Sequence, residues 1–360
     1  MRRLLRLTVG LLLVGATALA VLWRSATLQD AVLRRMIPRL IAQSGNALLA
    51  DDALRVAICG SDAPLPHPTR AKACVAVFAA GRFWVVDTGP QSWNRLALMR
   101  VDGARIGAVF STHFHSDHIA ELGELNLQTW AAGRAAPLRV YGPPGVERVV
   151  AGFQEAYALD TQYRVAHHGA DFLPPEVERM RALPVVARPN EPPVTVLEED
   201  GLLVTAFAVN HEPVTPAYGY RFDYRGRSVV VSGDTAKSPA LVAAARGADV
   251  LVHEAQANHL IAMVGEAAAA AGRERVTKIM RDIPSYHSTP VEAAEAANEA
   301  GVRLLVMYHL NPPPPNALIA KVFLRGVAGV RPEGWILGDD GTLVTLPAAS
   351  NEVRVGVVPQ

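Results

Sequence analysis

The stretch Ile106-Gly-Ala-Val-Phe110, followed by Ser111-Thr-His113-Phe-His115-Ser-Asp117-His118, decides the reading of this chain. An apolar, β-branched run ends and four potential metal ligands follow within six residues. In an extended turn His113 and His115 point the same way, because side chains alternate with period two. Asp117 and His118 follow where the chain bends, so the group can divide between two adjacent metals. Further candidates stand at the ends of later apolar runs: His211 after residues 206–210, Asp234 after 229–233 and His309 after 304–308. Ligands at the carboxyl ends of separate strands can converge on one edge of a sandwich, which a sequence-local cluster does not achieve alone.

Outward from this stretch, short β-branched runs closed by turn residues predict strands at 54–59, 74–79, 83–86, 106–110 and 138–141. A second series falls at 202–209, 218–223, 228–232, 250–253, 304–309 and 343–346, alternating in part with helical stretches. The mixture predicts an α/β sandwich of two mixed sheets flanked by helices. One helix is marked at both ends, by Thr289 as N-cap, Pro290, Glu292 closing a capping box, and Gly301 beyond the C-terminus. No repeat or low-complexity linker divides 54–347, which reads as one hydrolase domain with a tail at 348–360.

Half of the 360 residues are hydrophobic, enough for a large core, so disorder is excluded as the main state. Lys plus Arg number 35 against 34 Asp plus Glu, which leaves no global basic field. Two cysteines make neither a zinc ribbon nor a disulfide scaffold; Cys59 and Cys74 could pair or lie buried separately. Arg2, Arg3 and Arg6 precede an uncharged run at 7–23 containing Ala18-Leu19-Ala20, so 1–24 reads as a signal peptide or membrane anchor. Residues 25–53 read as a helical connector near the membrane or on the domain, kinked at Pro38. The expected location is extracytoplasmic, either periplasmic or anchored in the inner membrane.

The ordered set His113-x-His115-x-Asp117-His118, His211, Asp234 and His309 resembles the metallo-β-lactamase fold hydrolases and implies their αββα sandwich over 54 to about 347. Several further segments resemble the ribonuclease Z branch of that superfamily: Cys59-Gly60-Ser61-x-x-Pro64, Val209-x-His211, Gly219-Tyr220-x-Phe222, Ser232-Gly233-Asp234-Thr235, His253-Glu254-Ala255 and His287-Ser288-Thr289. The resemblance implies two Zn²⁺ ions, with Mn²⁺ or Fe²⁺ as alternatives. His113, His115 and His211 would hold one, Asp117, His118 and His309 the other, and Asp234 would bridge both. Such a pair makes a nucleophile from water near neutral pH and clamps the oxygens of an attacked phosphoryl or sulfuryl centre. Asp117 can also orient that nucleophile; His287, with Glu254 holding its ring, is the implied general acid.

Substrate class is read from the connection 146–191. Seven acids against five arginines there would repel a phosphate backbone. Its Phe153, Tyr157, Tyr163, His167, His168 and Phe172 could form a cap for an aryl leaving group. The pattern is similar to exported arylsulfatases of the same branch. The expectation is therefore hydrolysis of small sulfate or phosphate esters, with phosphodiesters or ribonuclease Z-type processing of tRNA 3′ ends as the alternative, and against a nucleic-acid partner. A non-enzymatic, membrane-tethered metal-binding module is disfavoured by the complete ligand set; a homodimer is left open.

Overall fold

The computed structural model describes residues 8, 16, 19–42, 47–50 and 52–358. It contains two compact units, 1–44 and 45–360. The first holds helix α1 (Ala26–Ala42), with Pro38 inside it. Most of the run at 7–23 lies outside the described residues; among those described, no helix is long and apolar enough to cross a membrane.

Among the described residues the second unit carries fifteen strands: β1 (Ala53–Gly60), β2 (Cys74–Ala79), β3 (Arg82–Val86), β4 (Ile106–Phe110), β5 (Leu138–Gly142), β6 (Met180–Pro184), β7 (Val194–Glu199), β8 (Leu202–Ala208), β9 (Tyr218–Tyr224), β10 (Arg227–Val231), β11 (Val250–Gln256), β12 (Leu304–Asn311), β13 (Trp335–Leu337), β14 (Thr342–Pro347) and β15 (Arg354–Val357). They form an eight-stranded sheet, β15-β14-β1-β2-β3-β4-β5-β6, and a seven-stranded sheet, β13-β12-β11-β10-β9-β8-β7. Both are mixed: β3 to β6 run parallel, as do β10 to β13, and the remaining neighbours are antiparallel. A core that includes Val56, Trp84, Phe110, Tyr220, Phe222 and Val252 fills the space between the sheets. Helices α2 (Leu122–Ala131), α3 (Val146–His168), α4 (Pro239–Ala245), α5 (Asn258–Ala270), α6 (Glu274–Asp282) and α7 (Pro290–Ala300) complete the sandwich.

The eleven expected strands are present because most are buried along their whole length, which leaves a continuous apolar run in the sequence. Four strands were not expected: β6, β7, β13 and β15. They are the four edges of the two sheets. An edge strand is half exposed and tolerates charge and proline, as Pro184 and Glu198-Glu199 illustrate, so its hydrophobic signal is weak. Residues 348–360, expected as a tail, therefore supply β15 and the buried Val358. Helix α7 starts as the sequence indicates, with a reciprocal capping box between Thr289 and Glu292, and ends on Gly301 at φ 69°.

Cys59 and Cys74 are joined in a disulfide with a Cα–Cα distance of 4.9 Å, and both are fully buried. The bridge ties β1 to β2 and closes a loop spanning a sequence separation of 15. Loop-closure entropy for that length corresponds to about 3 kcal/mol. Replacing both cysteines with alanine should lower the unfolding free energy in denaturant by about that amount; an unchanged midpoint and slope would refute a structural role for the bridge.

Candidate metal centre and its cleft

The site is built from strand ends. Asp87, directly after β3, has φ 61° and accepts hydrogen bonds from the Thr112 amide and hydroxyl, both at 2.8 Å, and from His118 Nδ1 at 2.8 Å. One carboxylate thus fixes both ends of the turn that displays His113, His115 and Asp117. Asp234 leaves β10 through Gly233, at φ 63°, where a Cβ would lie 2.5 Å from the Tyr218 carbonyl oxygen. His309 sits within β12 at a bulge: Glu254 pairs with Tyr308 and Ala255 with Leu310, which leaves His309 unpaired at φ 46°. The bulge aims the imidazole out of the ladder and toward the site.

All seven expected ligands come together. Donor atoms of His113, His115, His211 and Asp234 lie within 4.8 Å of one another, as do those of Asp117, His118 and His309. Asp234 stands between the two groups, with Oδ2 3.8 Å from His113 Nε2, 3.9 Å from His211 Nε2 and 3.3 Å from His118 Nε2, and Oδ1 3.4 Å from His309 Nδ1. His118 donates from Nδ1 to Asp87, and His211 donates from Nδ1 to the Tyr286 carbonyl oxygen at 2.9 Å. Their Nε2 lone pairs therefore face the centre, the arrangement in which an outer hydrogen bond fixes a ligating tautomer. His211 Nε2, Asp234 Oδ1 and His309 Nδ1 are buried without a hydrogen-bond partner. Orphaned buried acceptors cost about 1–3 kcal/mol each, and divalent cations between them would remove that cost. The donor set, imidazole with carboxylate, fits zinc-type ions.

Electrostatics agree with this reading. Burial disfavours a charged His113 and, with its neighbour His118, holds it well below the usual histidine range. Burial also opposes charge on His118, but the Asp234, Asp117 and Asp87 carboxylates outweigh it and raise that ring well above the usual range. Burial raises Asp117, yet His118 and His309 overcome it and bring the carboxyl down to about 2. Cation binding would therefore release a proton from the cluster.

His287 and Glu254 form the expected pair. Alternation along β11 separates His253 from Glu254, and Glu254 is fully buried. Its Oε1 accepts from the Thr235 amide at 2.9 Å and from His287 Nδ1 at 2.9 Å. Burial opposes a charged His287, but the Glu254 carboxylate prevails and the ring is raised to about 9. A His287 nitrogen also lies within 4.8 Å of donor atoms of Asp234 and His309. Because Nδ1 is engaged, Nε2 is the atom left for a substrate.

A cleft of about 290 Å³ opens over His115, Asp117, Asp234 and His287. Its opposite wall is apolar and consists of Pro64, Leu65, Ile279, Met280, Ile283 and Tyr286. That wall corrects the expected cap. The connection 146–191 contributes none of the cleft residues: Phe153 and Tyr157 pack into outer hydrophobic clusters, while Tyr163, Phe172, His167 and His168 are exposed. Helix α6 and the turn after it, with Pro64 and Leu65, form the wall instead. Asp87 was missed, although a lone acid closing the apolar run 83–86 was its available signal; the Tyr286 carbonyl had none.

Residues 82–310 match the family described as Beta-lactamase superfamily domain. The chain is also 37% identical over 264 residues to the ribonuclease Z of Mycobacterium bovis (strain BCG / Pasteur 1173P2), covering 72% of this chain and 86% of that protein. The chain belongs to the ribonuclease Z family of the beta-lactamase superfamily. The ribonuclease Z of Mycobacterium avium (strain 104) is 33% identical over 303 residues, covering 82% of this chain and all of that protein. Human tRNase Z, short form, shares the fold, with a TM-score of 0.56 at 20% identity over 81% of this chain and 99% of that one.

These relatives overturn two expectations. The arylsulfatase reading is unsupported, since the relatives carry the name ribonuclease Z, and so is the reading against a nucleic-acid partner. The physical error lay in using the charge of 146–191, which does not line the cleft. The segment that does is α6 with the turn after it; α6 carries Arg275, Lys278 and Arg281 against Glu274 and Asp282, and all three basic residues are exposed, Lys278 paired with Asp282.

Asp87→Ala should keep the fold but weaken metal affinity about 10- to 100-fold, as loss of a ligand-orienting partner does. Competition with a graded chelator measures this, and unchanged affinity would remove Asp87 from the centre.

Proposed function

We propose that this chain is a metal-dependent phosphodiesterase acting on RNA, of the ribonuclease Z type. The observation that carries the reading is the convergence of seven side chains able to ligate metal beside a His287–Glu254 pair, in a chain 37% identical to a ribonuclease Z. We assign zinc-type ions to the centre, with His113, His115 and His211 holding one, Asp117, His118 and His309 the other, and Asp234 shared. When bound, such ions supply Lewis acidity and a nucleophile at neutral pH.

The chain's own groups carry out the rest. Asp117, which lines the cleft, orients the attacking water by accepting a hydrogen bond from it. As the phosphorus–oxygen bond to the departing nucleoside breaks, the proton on His287 Nε2 passes to that oxygen. Glu254 holds the imidazole in position and compensates its charge. Ile279, Met280 and Leu65 exclude water from one side of the cleft and offer a surface on which a nucleobase can pack. Arg275 and Arg281, exposed on helix α6, suit flanking phosphates, whereas Lys278 is paired with Asp282.

The purified full chain should cleave a precursor tRNA at its 3′ side and do so more weakly as salt rises. A chain loaded with metal that turns over aryl phosphodiesters but leaves precursor tRNA intact would overturn the RNA assignment. His287→Ala should retain its metal and lose about 10²- to 10⁴-fold in kcat. The loss should be smallest for a substrate with a nitrophenolate leaving group, which hardly needs a proton. Equal losses for good and poor leaving groups would make His287 a binding residue and not a proton donor.

A further inference from the structure

We propose that helix α1 docks on a bilayer surface carrying anionic lipid, with its apolar arc among the acyl chains and its arginines against headgroup phosphates. At the angular spacing of an α-helix, Val32, Leu33, Met36 and Ile37 share one arc of roughly 140°, with Gln29 the one polar residue within it and Arg39 and Asp30 at its two borders. Each of the four is between 40% and 49% exposed. Singly exposed apolar side chains are ordinary, but four that share one arc mark an interaction surface.

Two features of the sequence identify the occupant. Residues 24–42 carry Arg24, Arg34, Arg35 and Arg39 against one acid, Asp30. Arg34 and Arg35 lie off the apolar arc and Arg39 at its margin, the placement from which long cationic side chains reach headgroups while their stems cover apolar surface. Directly before them, residues 7–23 are uncharged and follow three arginines, a segment suited to entering a bilayer and delivering α1 to it. The helix itself does not cross: it spans 17 residues and contains Asp30, Arg34, Arg35 and Arg39. A basic, amphipathic helix of this kind lies in the interfacial plane. Nothing in this inference depends on the RNA reading, because α1 contributes no residue to the cleft.

Sedimentation with vesicles would not isolate α1, since residues 7–23 could hold the chain by themselves. The full chain is therefore reconstituted into vesicles of phosphatidylcholine with about one third phosphatidylglycerol, enough to give the surface a negative potential. A cysteine bearing an environment-sensitive fluorophore is placed at Val32→Cys, Met36→Cys or Ala31→Cys; the two native cysteines are paired with each other. Positions 32 and 36 lie within the arc and 31 opposite it. Labels at 32 and 36 should shift to the blue and be quenched by lipid-borne quenchers, whereas the label at 31 should stay in water. Alike responses at all three positions, or none at 36, would overturn the proposal. Adding Arg34→Glu with Arg35→Glu should abolish the shift at 36 while the chain remains in the vesicle fraction. An undiminished shift, or an equal one in pure phosphatidylcholine, would refute the anionic-lipid assignment.

Discussion

Buried acceptor atoms with no donor to meet them set the terms for this half of the molecule. Three imidazole or carboxylate atoms at the carboxyl ends of β8, β10 and β12 lack any hydrogen-bond partner, and two imidazoles face one another, His118 Nε2 to His309 Nε2, at 3.2 Å. Such an arrangement is costly unless the surrounding structure over-determines it, and a bound cation would remove that cost. The backbone accordingly shows left-handed residues at Asp87 and His309 and a left-handed glycine at 233, each at a position that aims or fixes a candidate ligand. The two packed sheets supply the rigidity. Trp84, Phe110, Tyr220 and Phe222 lock the strands whose ends carry the site.

What the sequence made legible follows from how locally each feature is encoded. Central strands are buried on both faces and leave continuous apolar runs; edge strands are not, and all four of them escaped notice. The seven candidate ligands, which the structure brings together, stood out in the sequence because histidine and aspartate at the ends of apolar runs have little other reason to be there. Asp87 was as well placed as any ligand, but its role depends on its being beside Thr112 and His118 across the β3–β4 pair, 25 and 31 residues away. The Tyr286 carbonyl is a backbone atom and carries no side-chain signal at all. Glu254 became legible only through resemblance, since a buried acid within an apolar strand has several structural explanations.

Substrate class was the level at which sequence reasoning failed, and the failure has a geometric cause. Charge on a connecting segment bears on substrate only if that segment faces the site. The connection 146–191 is long, acidic and aromatic, but α3 packs against α2 and the β5–β6 side of its sheet. The hairpin of α5 and α6 is alanine-rich at first sight, yet its Met280 joins Ile261 and Ile283 in a small core of its own while also facing the cleft. A segment that packs on one side and lines a cleft on the other resembles an ordinary surface helix until its neighbours are known.

The part of the apolar wall contributed by Pro64 and Leu65 is anchored close to the candidate metal centre. Between β1 and β2 the disulfide closes a loop in which the Lys72 ammonium donates to Asp62 at 2.5 Å, to the Ala63 carbonyl oxygen at 2.6 Å and to the Leu65 carbonyl oxygen at 2.5 Å. Burial raises the Asp62 carboxyl to about 6, against the pull of Lys72, so this ion pair is held by the loop around it as much as it holds the loop. The same loop bridges to β12: the Leu310 amide donates to the Ser61 carbonyl oxygen at 2.9 Å, one residue beyond His309. Pro64 and Leu65, which line the cleft, are thus tied through Lys72 and Asp62 to the strand that carries His309, a candidate metal ligand. The rim of the cleft and the His309 bulge therefore share one hydrogen-bonded loop, and a fully buried covalent cross-link closes that loop at its base.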